Sequence, residues 1–121
     1  MAKKQVIKNI QSDTQIIIYE TDDGMARVEA RFEDENVWLT QTQMSELFDR
    51  DQSVISKHIK NVFSEGELNE KSNMQILHIA NSDKPVVLYS LDVIISVGYR
   101  IKSLRGTQFR IWATERLKEY M

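Results

Sequence analysis

Ala26, Val28, Ala30 and Phe32 alternate with Arg27, Glu29 and Arg31. A period of two over this length predicts a half-buried β-strand. The β-branched run Gln15 to Tyr19 predicts a strand before it, with Asp22-Asp23-Gly24 as the intervening turn. Glu33 to Asn36 predicts a second turn, and Val37-Trp38-Leu39 a short third strand. The period then changes. Met44, Leu47 and Phe48 fall at i, i+3 and i+4, the stripe of a helix. Thr40 and Gln43 sit where a capping box would start it. Asp49-Arg50 breaks the pattern, and Asp51 is placed to cap a second helix. In that helix Ile55, Ile59, Val62 and Phe63 turn inward, and Gly66 is a C-cap glycine.

Beyond the second helix, Met74 to Ala80 and Val86 to Ser90 predict a hairpin around the polar loop Asn81 to Pro85. Ser90 can cap a helix with Leu91, Ile94 and Ile95 on its inner face, ending at Gly98. Gly106 and Thr107 suggest a turn and an N-cap for a last helix carrying Phe109, Trp112, Ala113, Leu117 and Tyr120. Residues 1–14 are expected to be a flexible polar lead-in, and residues 15–121 a single domain. The expected fold class is α+β: a winged helix-turn-helix-like domain with an N-terminal β-meander and C-terminal helices.

The helix pair carries the candidate chemistry. If the second helix starts at Gln52, its outer face holds Gln52, Ser53, Ser56, Lys57 and Lys60. In a helix-turn-helix the N-terminal residues of the second helix lie deepest in the major groove. Gln52, Ser53 and Ser56 are therefore the expected base readers, and Lys57 and Lys60 the phosphate contacts. Lys84, at the tip of the hairpin, is expected to touch backbone as a wing would. Asp49 holds the turn position usual for glycine, which aspartate tolerates at some cost. A Ser/Lys face on an ordinary helical hairpin is the simpler alternative.

Charge modifies this picture. The 121 residues carry 16 basic and 18 acidic side chains, a net charge of −2. That argues against bulk attraction to nucleic acid, so a polarised surface with a local basic face is expected. Arg100, Lys102 and Arg105 lie in the basic stretch from Tyr99 to Arg110. They are either further phosphate contacts or part of a loop between two helices, in which Arg100 and Arg110 pair with nearby acidic residues. The chain has no cysteine and no apolar run of membrane-spanning length, so a cytoplasmic protein without a membrane partner is expected. His58 and His78 are the only histidines, and no HExxH, nucleophile elbow or phosphate-binding glycine loop occurs. No enzyme activity, metal or cofactor is expected, and Trp38 and Trp112 are expected core anchors.

Longer stretches add a resemblance. IIIYETDDG, VEARFEDENVWLTQTQMSELF, ISKHIKNVFSEGEL and LDVIISVGYRIKSLRGTQFRIWATERLKEY resemble the N-terminal part of the RhuM (virulence protein RhuM) family. The resemblance spans nearly all of residues 16–120. It implies a winged-helix DNA-binding module, in proteins associated with mobile or virulence-related regions and continuing beyond such a module. It implies no catalytic residues. The chain departs from the family at Asp49 to Gln52, where a Phe-Gly turn is usual, and over Asn73 to Lys84. The resulting expectation is sequence-specific binding of double-stranded DNA by a transcription regulator. One helix supplies few base contacts, so a homodimer is expected, with the last helix, Trp112 and Tyr120, as candidate interface. The rival is an antirepressor-type module that binds a protein partner through the same fold.

Overall fold

The computed structural model describes residues 14–119. The lead-in expected over 1–14, except Thr14, and the interface residue Tyr120 lie outside the described residues. Strands β1 (Gln15–Glu20), β2 (Arg27–Glu33) and β3 (Asn36–Leu39) form the expected antiparallel meander. Helices α1 (Gln41–Phe48) and α2 (Gln52–Ser64) follow. A short helix α3 (Glu70–Asn73) leads into β4 (Met74–Leu77), then β5 (Val86–Ser90), α4 (Leu91–Arg100) and α5 (Leu104–Glu119). The hairpin strand β4 is shorter than expected. Asn69 accepts the Ser72 amide and caps α3, which sequence periodicity did not show.

The strands make one antiparallel sheet in the order β1-β2-β3-β5-β4. The hairpin thus joins the meander through β3, with Trp38 opposite Ser90 and Leu39 opposite Tyr89. The chain path is strand, helix, turn, helix, hairpin, and the leading strand pairs with the second strand of the hairpin.

Period-two burial sets the sheet's inner face. Val28, Ala30, Phe32, Val37 and Leu39 join the main core, under α1, α4 and α5. Trp38 points to the other face, where it is buried and its indole N–H donates to the Glu33 carbonyl at 3.1 Å. Asp34 and Glu35 both take positive φ, at 57°, between β2 and β3. That is the backbone of a two-residue type I′ hairpin turn, whose twist matches the strands. An aromatic group pins α5 to the meander. Tyr19 lies 4.8 Å from Trp112 and 5.1 Å from Phe109, and Phe32 lies 5.7 Å from Trp112. Trp112 is therefore half-buried in this group, which limits what it could offer a second subunit.

Helix ends follow capping chemistry. The Thr40 hydroxyl accepts the Gln43 amide at 3.0 Å, and the Gln43 side chain accepts the Thr40 amide at 2.8 Å. This is the expected capping box. Asp51 precedes α2 as expected but makes no side-chain capping bond, so only its charge near the helix dipole supports that end. Gly66, at φ 78°, closes α2: its amide donates to Phe63 and that of Glu67 to Val62, the Schellman pattern.

Two expectations about the C-terminal helices are corrected. Gly98 does not end α4, and Gly106-Thr107 does not begin α5. Both glycines are buried inside their helices and face each other across Phe48. A Cβ on Gly106 would sit 3.2 Å from the Phe48 ring and 3.3 Å from the Gly98 Cα. They are glycine because the helices approach so closely. The end of α4 comes at Lys102, which takes φ 55°. The Ser103 amide donates to Gly98 and the Lys102 amide to Tyr99, another Schellman pattern with lysine in the glycine position. Ser103 starts α5 by accepting the Gly106 amide at 3.3 Å.

Candidate nucleic-acid interface

The helix pair is held by a turn of three residues, Asp49 to Asp51. Asp49 takes the left-handed conformation, φ 55° and ψ 54°, in the place expected of glycine. The Ser45 hydroxyl donates to the Arg50 carbonyl and ties the turn back to α1. The Ser45 hydroxyl thus closes the turn. Arg50 covers the Phe48 and Asp49 carbonyls at 3.2 Å, placing a cation at the negative end of α1.

On α2, Ile55, Ile59 and Val62 are buried and Phe63 is half-buried. Gln52, Ser53, Ser56, Lys57 and Lys60 are all exposed. They form one polar face carrying two cations, neither of them in an ion pair with a described residue. Sequence reasoning missed Gln41, whose side-chain amide donates at 3.3 Å to both the backbone and the side-chain oxygen of Gln52. The first turn of α1 thus orients the first residue of α2. Only their packing brings these residues together, so no local pattern could have found the contact. A groove of about 520 Å³ runs beside this face, between Lys60 and Ser56 on α2 and Tyr89 on β5. Burial, then the nearby Glu70 carboxylate, holds the Tyr89 phenol above its ordinary range, so it stays a neutral donor.

Lys84 is exposed in the loop between β4 and β5, where Asn81 takes φ 68°. The stretch from Arg100 to Arg110 divides. Arg100 bonds Glu65 at 2.9 Å and Glu67 at 2.8 Å, joining α4 to the end of α2. The Ser96 hydroxyl and then Arg100 hold the Glu67 carboxyl below its ordinary range. Arg105 bonds Asp23 at 2.8 Å and the Leu47 carbonyl at 3.2 Å. Both guanidiniums are committed to the fold; the loop alternative expected this of Arg100 and of Arg110, but it is Arg105 and not Arg110 that pairs. Lys102 and Arg110 are exposed and make no ion pair with a described residue.

Asp23 yields a pH prediction. The Met25 amide, the Thr21 hydroxyl and then Arg105 hold its carboxyl well below the ordinary carboxylate range. A depressed folded pKa contributes stability that is present above the unfolded value, about 3.9, and lost as pH falls through the folded value. Asp23→Asn removes that contribution. Thermal unfolding followed from neutral pH to below about pH 4 should therefore show a shallower acid loss in Asp23→Asn than in the parent. Equal slopes would mean Asp23 is as weakly held as an ordinary surface carboxylate.

Among the described residues no cluster of three or more His, Asp or Glu could hold a metal ion, and no helix is long and apolar enough to cross a membrane. No curated protein and no solved structure is similar enough to match the chain. The resemblance seen in the residues does hold over the C-terminal part: residues 68–121, from just before α3 through α5, match the Virulence protein RhuM family.

Proposed function

We propose that the chain is a winged helix-turn-helix module that binds double-stranded DNA, with α2 as the reading helix. The observation that carries this reading is the α2 surface: the five α2 residues expected at DNA are exposed on one face, with neither lysine in an ion pair with a described residue. Strand order supports it. A leading strand, two helices with a tight turn, and a hairpin paired back to that strand make the frame that presents a reading helix and a wing. Gln52, Ser53 and Ser56 read base edges, Lys57 and Lys60 hold phosphates, and Lys84 touches backbone from the wing. Lys102 remains available for phosphate. Arg100 and Arg105 would have to break ion pairs to reach it, so they drop out of the proposed contact set. The match of residues 68–121 to the Virulence protein RhuM family fits a role in a virulence-associated region; the regulator reading follows from DNA reading by α2, and a homodimer on a two-fold site from the few base contacts that one helix supplies.

Fluorescence anisotropy with labelled duplexes across a salt series tests this. Phosphate binding weakens linearly in log–log form as salt rises, whereas a mainly apolar protein contact does not. Gln52→Ala should lower the preference at one base position by about 1–3 kcal/mol and leave the salt slope unchanged. A uniform loss across sequences would assign Gln52 to the backbone or to the Gln41 contact alone.

A further inference from the structure

Apart from Lys102, the cleft between α4 and α5 has no part in the proposed reading surface. Its volume is about 710 Å³, within the range of about 300–1,000 Å³ usual for binding pockets. Tyr99 and Leu104 line it and are 83% and 71% exposed, an unusual state for large apolar side chains. The half-buried Ile95 and the buried glycines Gly98 and Gly106 add further apolar lining. Ile111, 48% exposed, lies one helical turn further along α5 from Thr107, another lining residue.

Its charge is one-sided. Lys102 and Arg110 line the cleft, and no carboxylate does. The neighbouring cations Arg100 and Arg105 are neutralised by Glu65, Glu67 and Asp23. The fold therefore leaves two positive charges without an ion pair among the described residues, beside exposed apolar side chains, on a chain of net charge −2. The whole cleft also falls within the segment that matches the family, whereas α1 and α2 do not.

We propose that this cleft docks an acidic peptide segment of a partner protein: an apolar anchor seats against Tyr99, Leu104 and Ile95, and flanking carboxylates meet Lys102 and Arg110. Apolar burial supplies the holding force, and the cations set orientation and choice of partner. Ser103, Thr107, Lys102 and Arg110 would suit a sugar-phosphate chain too, but Ile95 and Leu104 give it no partner, whereas a peptide's apolar anchor buries them. The proposal is independent of DNA reading by α2.

The test is selection of a phage-displayed random peptide library on the full chain, followed by titration of the synthetic winning peptide. The expected winners carry Leu, Phe or Trp flanked by Asp or Glu. Their affinity should fall about tenfold or more in Lys102→Gly with Arg110→Glu, and in Tyr99→Ser. Glycine suits the positive φ of Lys102, so that change removes charge without straining the fold. Lys57→Glu with Lys60→Glu should leave peptide binding unchanged. Winners that are basic or uncharged, affinity indifferent to the cleft variants, or no enrichment would each overturn the proposal. So would competition by duplex DNA that persists in the Lys57→Glu, Lys60→Glu protein, since it would put nucleic acid in the cleft.

Discussion

Lys57→Glu combined with Lys60→Glu should abolish specific DNA binding and leave the circular dichroism spectrum unchanged. Both side chains are exposed on α2, and neither makes an ion pair with a described residue, so their reversal removes no internal contact. Each lysine on a phosphate releases condensed counterion, and each lost contact lowers the slope of log affinity against log salt by about 0.9. Two lost contacts should flatten the slope by about 2, and the new carboxylates add repulsion from the same phosphates. The combined loss should be roughly 100-fold or more at low salt, and smaller as salt rises. Lys84→Glu should give a weaker loss of the same kind. Retained affinity in the double variant would show that α2 is not the reading helix, whatever the remaining surface does.

Phe48→Ala should cause the largest loss of stability. Phe48 is 1% exposed, closes α1, and lies where Gly98 of α4 and Gly106 of α5 meet. Removing a fully buried phenyl ring costs about 3–5 kcal/mol, because the transfer energy is lost and the cavity refills only in part. Against a usual total of about 5–15 kcal/mol, that should lower the melting temperature by about 10–20 °C. The glycines sharpen the test. In the parent, Gly106→Ala drives a methyl to 3.2 Å from the ring and should destabilise. In the Phe48→Ala background the ring contact is gone and only the Gly98 backbone, 3.3 Å away, remains close, so Gly106→Ala should cost less there than in the parent. Such non-additivity is what coupling between touching residues produces. Two losses that simply add would mean that the helices do not close on this ring.

What was legible in the residues was local. The alternation from Ala26 to Phe32, the Thr40–Gln43 capping box, the helical stripe on α2 and the closing Gly66 each follow from interactions within a few positions. The exposed face of α2 follows from that stripe, so the candidate reading residues were legible too. Long-range contacts were not. Gly98 and Gly106 look like helix punctuation in sequence, yet they mark the close crossing of α4 and α5 over Phe48. Lys102 gives no sign that it will take a glycine's conformation. Arg105 meets Asp23 across 82 positions, and Arg100 meets Glu65 across 35, so charge clusters alone could not tell committed cations from free ones. The cleft depends on that distinction, because among the described residues Lys102 and Arg110 line it without an ion pair.

The most direct test of DNA reading by α2 is selection from random duplex DNA by the purified chain, at low and moderate salt. Enrichment of one motif is predicted, in two inverted half-sites about 10 base pairs apart if a homodimer binds, with enrichment lost in the Lys57→Glu, Lys60→Glu protein. A folded sample that enriches nothing at either salt, or whose motif survives that double substitution, would contradict the account.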